Sequence, residues 1–333
     1  MAIIPVFIPH AGCPHQCVFC NQKTISGQQL ASVEQAALQI KKYLQWVKPS
    51  TTNELAFYGG SFTGLEESLQ RQLLALAIHY RDAGVIGSIR VSTRPDYVEQ
   101  AQLKNLLAAG VGLVELGVQS LDDKVLQLAE RGHCAAVVAG AVQRLRVAGL
   151  KVGLQLMVGM PGQSFDSVKA TVDEVLLLQP DVVRIYPLIV VAGTPLATLY
   201  QQGSFQPLTL EDAVVQTAYM YQAFTKQGIK VIRMGLQADA ELCRAGSIIA
   251  GPFHSAFGEM VYSWLYHEEI GQRLLALQQE GITKITLTYP QREESKIRGQ
   301  KNCNLRYWQT LLSQAQLVLV AGTNDCALQL ITS

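Results

Sequence analysis

The hydrophobic residues of the chain form two patterns: short apolar runs, and longer stripes in which apolar residues recur every three or four positions. The short runs are typical of buried parallel strands. They occur at Ile3–Ile8, Leu55–Tyr58, Ile86–Val91, Leu113–Val118, Val152–Val158 and Val182–Ile189. The stripes predict helices over 31–47, 66–82, 98–109, 122–148 (in two pieces) and 165–178. Because strands and helices alternate, the pattern predicts a parallel sheet, either a barrel or a doubly wound sheet, with reactive groups in the loops after the strands.

The second half of the chain continues this pattern and then departs from it. A seventh unit is expected from a helix over 209–227 and a strand at Ile229–Arg233. Beyond about residue 236 the pattern predicts a turn and then a mixture of one helix and three strands, over 259–280, 283–289, 316–321 and 327–332. We therefore predict an α/β protein with a barrel domain over 1–237 and a small α+β C-terminal domain over 238–333 that closes the barrel and carries substrate specificity.

Composition narrows the class of protein. Of 333 residues, 49% are hydrophobic and 16% charged, which is enough apolar material for a large core. The net charge of +1 gives no general attraction to nucleic acid and leaves room only for a local basic patch. No run of 18 apolar residues suggests a membrane span, and the N-terminus lacks the basic region of a signal peptide. We expect a cytoplasmic protein without a membrane partner.

Three of the seven cysteines stand close together after the first predicted strand. Cys13, Cys17 and Cys20 follow a C-x3-C-x2-C spacing, and in a cytosolic chain such a cluster favours metal binding over disulfides. Four thiolates commonly hold a cubane iron–sulfur cluster, so three would leave one iron open to a small chelating molecule. Zinc with His10 or His15 as the fourth ligand is an alternative, and three ordinary thiols are another. The remaining cysteines are scattered and are expected to act as small hydrophobic residues.

A glycine pair follows the second predicted strand. Gly59 and Gly60, within Phe57–Gly64, would let the backbone approach a ligand without obstruction by a Cβ atom. Alone, this segment is only a glycine-rich turn. Its expected position on the same edge of the sheet as the cysteines makes a binding role more attractive.

With these two motifs the chain resembles the radical S-adenosylmethionine (SAM) superfamily. It is most similar to the radical SAM region of the elongator catalytic subunit, a tRNA wobble-uridine modifying enzyme, over residues 5–237. The oxygen-independent coproporphyrinogen oxidases share several of the motifs. The later matching stretches are Val91–Val98, Glu115–Ser120, Arg131–His133, Arg184–Val190 and Gly193–Thr194. The resemblance implies a partial (βα)6-type parallel barrel.

The resemblance also implies a cofactor site. Cys13, Cys17 and Cys20 would bind three irons of a [4Fe-4S] cluster and leave the fourth for SAM. Gly59 and Gly60 would hold the SAM amino group, Phe19 and Gly159 would lie near the adenine, and Arg131 would pair with the carboxylate. The residues that the resemblance assigns to SAM are Phe19, Gly59, Gly60, Glu115, Gln119, Arg131, Gln155 and Gly159.

Two of these assignments have specific features. Glu115 is expected at a strand end, where it could reach the ribose or the amino group. Gln155 stands where related oxidases carry an aspartate for the ribose, and its amide can still donate and accept hydrogen bonds. Purely structural roles are an alternative for several polar residues of the matching stretches. Arg94 could form a salt bridge at a helix start, and Arg131 could be an exposed residue at a helix end. Arg184 and Tyr186 could be core or barrel-top residues.

The implied reaction is the reductive cleavage of SAM to a 5′-deoxyadenosyl radical, with a flavodoxin or ferredoxin as the electron donor. The substrate is either tRNA or a small molecule such as a tetrapyrrole, and a non-catalytic cluster- or haem-binding protein is a third hypothesis. The tail after Gln237 is short for an acetyltransferase domain, so the full elongator reaction is not carried over. The sequence does not predict the oligomeric state.

Two segments past the barrel are candidate substrate contacts. Gly251–Gly258 contains His254 and two aromatic residues, although the pattern slightly favours a packing turn over a substrate loop. Arg292–Arg306 has five basic and two acidic residues and is followed by Tyr307 and Trp308. This second segment could contact phosphate and stack a base, or form a solvated charged face.

Overall fold

The computed structural model describes residues 2–8, 12–13, 17–21, 32–237, 242–312 and 315–332. The chain divides into two compact units. The barrel unit comprises Met1–Gln216 and Met220–Ser255, and the C-terminal unit comprises Thr217–Tyr219 and Ala256–Ser333. Residues 238–241, where the sequence-based domain boundary falls, lie outside the described residues.

The barrel unit is built on one sheet of seven strands, each parallel to its neighbours. In the order of the sheet, which is also the order of the chain, these strands are β1 (Ile3–Phe7), β2 (Glu54–Tyr58), β3 (Ser88–Thr93), β4 (Val111–Gln119), β5 (Lys151–Val158), β6 (Val182–Pro187) and β8 (Lys230–Met234). The short strands β7 (Val190–Val191) and β9 (Ile248–Ala250) form a separate antiparallel pair. The sheet curls as a half-barrel, which confirms the partial (βα)6-type barrel, with the expected seventh strand added.

Helices connect successive strands of the sheet. They are α1 (Val33–Leu44), α2 (Glu67–Asp82), α3 (Gln100–Ala108), α4 (Asp123–Leu128), α5 (Ala135–Val147), α6 (Phe165–Leu178), α7 (Pro195–Gln201) and α8 (Leu210–Lys226). The stripe over 122–148 is two helices, as predicted. The first begins where the Asp122 carboxylate accepts a hydrogen bond from the Lys124 amide at 3.0 Å.

Two features of this unit differ from the sequence-based prediction. Strand β3 starts at Ser88 rather than Ile86. Just before it, Gly87 packs so closely on the Thr51 carbonyl that a side chain at this position would overlap it. Helix α7 was not predicted, although it carries a clear start signal. Thr194 Oγ1 accepts from the Ala197 amide at 3.1 Å, and Pro195 occupies the first helical position.

The C-terminal unit contains one long helix and a small sheet. Helix α9 spans Phe257–Gln279, and strands β10 (Lys284–Pro290), β11 (Gln316–Gly322) and β12 (Gln329–Thr332) form the sheet, with β10 in the centre. Strand β10 pairs in parallel with β11 and antiparallel with β12. The short helices α10 (Glu294–Arg298) and α11 (Cys303–Leu311) stand between β10 and β11.

The two aromatic residues of the candidate base-stacking patch differ, because Tyr307 is 43% exposed whereas Trp308 is buried. Trp308 is fully buried and donates its indole N–H to the His267 carbonyl at 3.2 Å, so it cannot stack on a base. Lys296 lies 2.9 Å from Glu293, and Arg298 lies 2.8 Å from Glu294. Arg292 also lies 3.7 Å from Glu293, so three of the five basic side chains are paired with the two acidic ones. None of the helices in the described part of the chain combines the length and apolar character needed to cross a membrane.

Candidate active site

The cysteine segment packs against the glycine-rich turn that follows β2. Gly12 has φ +71°, and a Cβ atom there would overlap the Ser61 carbonyl and the backbone of Gly64. Gly64 faces the Gly12 carbonyl in the same way. Because only glycine permits this backbone-to-backbone approach, Cys13 is held beside the turn that contains Gly59 and Gly60. His10 and His15, the ligands of the zinc alternative, lie outside the described residues.

Cys17 is buried beside an arginine from the loop after α4. Arg131 Nη1 donates to Cys17 Sγ at 3.0 Å, and Nη2 donates to the Gly117 carbonyl. The Arg131 carbonyl accepts from Arg94 Nη2 at 2.5 Å, and Arg94 forms two hydrogen bonds of 2.9 Å with Asp96. These contacts fix the guanidinium of Arg131, whose exposed fraction is 6%, so the expectation of an exposed helix-end arginine is wrong.

The surroundings of Cys13 make its thiol less acidic when no metal ion is bound. Burial raises the pKa of the Cys13 thiol, and Cys17 adds to the rise, whereas Arg94, Arg131 and the Ser61 amide partly offset it. A coordinated metal ion deprotonates such thiols. The Arg131 Nε atom is also buried, and it has no hydrogen-bond partner among the described residues. Three thiols and an unused N–H suit a cluster with an anionic ligand beside it.

Among the described residues, no three His, Cys, Asp or Glu side chains come together in a way that could hold a single metal ion. In a [4Fe-4S] cluster each thiolate binds a different iron, whereas the ligands of a single zinc ion converge on one point at about 2.0–2.3 Å.

A cavity of about 400 Å³ opens at the carboxyl ends of the strands, within the usual range for small-molecule sites. Its walls include most of the residues predicted to hold the cofactors: Cys13, Phe19, Cys20, Gly59, Gly60, Gln119, Arg131 and Gln155. Gly59 has φ +94°, a conformation that favours glycine, so the second strand ends in a turn that exposes its backbone to the cavity. Three predicted residues, Cys17, Glu115 and Gly159, do not line it.

Gln119 reaches the cavity through a distorted strand end. Its φ of +69° is unusual for a residue with a side chain, and the pairing of β4 with β5 shifts between Gly117 and Gln119. Such bulges redirect side chains and are frequent beside active sites. The matching stretch Glu115–Ser120 identified Gln119 as a candidate SAM contact but did not predict its backbone conformation.

Glu115 occupies a different position from the one expected. It lies in the middle of β4 rather than at its end, and it is 1% exposed. Oε1 accepts from Arg90 Nη1 at 2.5 Å, whereas Oε2 accepts from Gln155 Nε2 at 2.8 Å and lies 2.8 Å from Arg184 Nε. Both carboxylate oxygens are therefore engaged by protein groups. In the structure Glu115 positions Gln155 and Arg184, and a direct contact with ribose stays a prediction.

The buried network around Glu115 extends to the wall of the cavity, which Tyr58 and Arg184 line. Arg90 also forms an ion pair with Glu54, and Arg184 Nη2 donates to the Tyr58 hydroxyl at 2.6 Å. Burial raises the pKa of the Tyr58 phenol, and Glu115 raises it further, so this hydroxyl stays protonated. Burial lowers the pKa of Arg184, but Tyr186 and Glu115 outweigh that effect and the net shift is upward. Both guanidinium groups of the network stay charged.

The sequence analysis missed Glu54, Tyr58 and Arg90 as parts of this network. The available signal was the presence of charged residues inside strand-like apolar runs, as in Ile89-Arg90-Val91. Such residues are rarely buried without partners. Their pairing across three strands follows from tertiary register, which the sequence alone does not show.

Comparison with known proteins defines the family. A model described as the Radical SAM superfamily matches residues 7–175, and a second, the Radical SAM C-terminal domain, matches residues 180–267. The chain belongs to the radical SAM superfamily. It is an enzyme of this superfamily, and the first matched region contains the cysteine segment and strands β2 to β5 of the barrel unit.

Individual relatives of this radical SAM protein come from the elongator group. The tRNA uridine(34) acetyltransferase of Methanocaldococcus infernus is 27% identical over 322 residues, covering 84% of this chain and 59% of that relative. Elongator complex protein 3 of Danio rerio is 30% identical over 144 residues, covering 41% of this chain and 26% of the relative. The solved structure of the archaeal M. infernus Elp3, lacking N-terminal residues 1–46, is 27% identical with a TM-score of 0.66 and covers 80% of this chain and 63% of the other. This chain therefore spans less than two thirds of the length of these relatives.

Proposed function

We propose that the protein holds a [4Fe-4S] cluster on Cys13, Cys17 and Cys20, cleaves SAM reductively and modifies a tRNA nucleoside. The observation that carries the proposal is the contact between Arg131 and Cys17, 3.0 Å long, at a cavity whose wall includes Gly59 and Gly60. A cation beside a thiolate ligand and exposed backbone groups on the same cavity suit a zwitterionic amino acid that chelates an open iron.

The chain's own residues would bind and orient the cofactor. When bound and reduced, the cluster supplies the electron that divides SAM into methionine and a 5′-deoxyadenosyl radical. The fixed guanidinium of Arg131 would pair with the SAM carboxylate, and the backbone at Gly59 and Gly60 would hold its amino group. Gln119 and Gln155 offer amides that both donate and accept, and Phe19 offers an apolar surface for adenine. The walls of the cavity would keep the radical away from water.

The relatives support tRNA as the substrate, because the M. infernus relative is named for acetyl transfer to tRNA uridine(34). A small molecule or a tetrapyrrole is the second candidate. Two observations favour it: the net charge of +1 and the pairing of Lys296 and Arg298 with Glu293 and Glu294, which weakens the basic segment. The proposed redox partner is a flavodoxin or ferredoxin that delivers the single electron.

Anaerobic reconstitution tests the cofactor part of the proposal. The protein should bind iron and sulfide, and dithionite with SAM should release 5′-deoxyadenosine, measured by mass spectrometry. The variant C17A should lose both, whereas C303A, at an exposed cysteine outside the motif, should retain them. Stoichiometric zinc without SAM cleavage would overturn the proposal. Nucleoside and metabolite profiles of a strain lacking the gene would separate a tRNA substrate from a small molecule.

A further inference from the structure

Two arginines lie opposite each other on the last two strands of the sheet. Arg184 on β6 and Arg233 on β8 are register partners, and both line the cavity. Like charges directly opposite on adjacent strands are destabilising unless a counter-charge is near. The pairing therefore raises the question of which groups neutralise them.

The carboxylates of the buried network account for only one of the two. Glu54 pairs with Arg90, and Glu115 is shared between Arg90 and Arg184. Two carboxylates thus balance two guanidinium groups, and the charge of Arg233 is left over. Its Nε donates to the Gly235 carbonyl at 3.1 Å, and Nη1 lies 3.5 Å from the Gln237 amide oxygen. Both of these acceptors are neutral, and no carboxylate of the described residues lies within ion-pair distance of Arg233.

The described lining residues of the cavity supply no negative charge either. Among its described lining residues are four arginines and no aspartate or glutamate. Arg94 is paired with Asp96 and Arg131 contacts Cys17, so each serves the cofactor side of the cavity. Arg233 stands on the other side, at the edge strand. Arg233 is partly buried, and a positive group that has no paired carboxylate attracts anions.

We propose that Arg233, with Arg184 beside it, binds an oxyanion of the substrate, either a phosphate or a carboxylate. The planar guanidinium fits such groups through two parallel hydrogen bonds. The hydroxyl of Tyr186, 3.4 Å from Arg184 Nη1, supplies a further donor on the same wall. The inference rests on the proposed function in taking the cavity as the substrate site. For a tRNA substrate the anion is the phosphodiester next to the modified nucleoside, and for a tetrapyrrole it is a propionate.

Binding measurements on the reconstituted, unreduced protein test the site with two matched pairs of probes. The phosphate arm compares uridine 5′-monophosphate with uridine, and the carboxylate arm compares coproporphyrin III with its tetramethyl ester. We expect the charged member of one pair to bind at least about tenfold more tightly than its neutral partner, in line with a charge-assisted pair of hydrogen bonds. The arm that shows the difference identifies the source of the anion.

Variants on strand β8 test whether the tighter binding of the charged probe depends on Arg233. R233Q should abolish it, and R233K should restore part of it, because lysine keeps the charge but not the fork. K230Q, at the exposed start of the same strand, should retain the full preference. Equal binding of charged and neutral probes in both arms would overturn the proposal, as would an unchanged preference in R233Q with a native melting curve. SAM cleavage is measured without these probes, so failure of the proposed function would be seen separately.

Discussion

Arg131 donates a hydrogen bond to the sulfur of Cys17 across 114 residues of chain. The contact joins the loop after α4 to the cysteine segment after β1, and Arg94 holds the Arg131 carbonyl from a third connection. The Nε–H group of this guanidinium is buried and has no hydrogen-bond partner among the described residues. A ligand carboxylate could accept a hydrogen bond from this unused N–H group.

Replacing Arg131 by lysine should weaken SAM binding while leaving the fold intact. Lysine keeps the positive charge but offers no planar fork, so we expect the KM for SAM in 5′-deoxyadenosine formation to rise about tenfold. R71K, in an exposed ion pair with Glu67, is the matched control and should behave as the parent protein. Iron content is measured for each variant. An unchanged KM at full iron content would show that Arg131 does not bind the carboxylate.

The glycine at position 12 should be harder to replace than a glycine that needs only a positive φ. G12A would both force an alanine to φ +71° and push its Cβ into the Ser61 and Gly64 backbones. G84A meets only the first penalty, since its φ is +72° with nothing within 4 Å. We expect G84A to cost about 1–2 kcal/mol in the free energy of unfolding and to bind iron normally. G12A should lose most of its bound iron as well.

Iron per protein after reconstitution and urea unfolding distinguish the two variants. If G12A binds iron as well as G84A does, the close backbone approach is not what places the cysteines. The comparison isolates packing from conformational strain, because the two positions share nearly the same φ value.

The sequence predicts the barrel more completely than it predicts the site. Successive strand and helix patterns carry the fold because parallel buried strands such as Leu55–Phe57 are apolar throughout and each helix has an apolar stripe. The cysteine spacing and the glycine pair also stand out locally. The role of Glu115, in contrast, depends on Arg90, Gln155 and Arg184 from other strands of the sheet, and the sequence does not show these contacts.

The buried ion pairs could not be predicted from the sequence for a related reason. Arg90 meets Glu54 and Glu115 from its two neighbouring strands, so its partners are set by strand order and register. The burial of Trp308 has the same origin, since its helix packs that face on the core of its own unit. Local pattern identifies such residues as polar or aromatic but does not show what covers them.

Removing the charge of Glu115 should destabilise the barrel unit strongly. E115Q leaves Arg90 and Arg184 with the single carboxylate of Glu54, and breaking a buried ion pair on one side costs about 3–5 kcal/mol. Urea unfolding measures the change. E67Q, in an exposed pair with Arg71, should change stability by no more than about 0.5 kcal/mol. A loss below about 1 kcal/mol in E115Q would mean that solvent already screens the network.

The free energy of unfolding should decrease at acidic pH because His133, two residues after Arg131, is held neutral in the folded protein. Burial and the charge of Arg131 lower the pKa of His133 from 6.5 to about 4. As the pH falls below 6.5 the unfolded chain takes up this proton first, so the contribution of neutral His133 is complete above pH 6.5 and is lost progressively down to about pH 4. The side chain is partly exposed, so we expect only about 1–2 kcal/mol of this loss rather than the full value of the shift. Urea unfolding at pH 7 and pH 5 should therefore show a smaller difference in H133N than in the parent protein. If the two proteins lose equal stability between these pH values, the acid sensitivity originates in other groups and His133 is not held neutral by its surroundings.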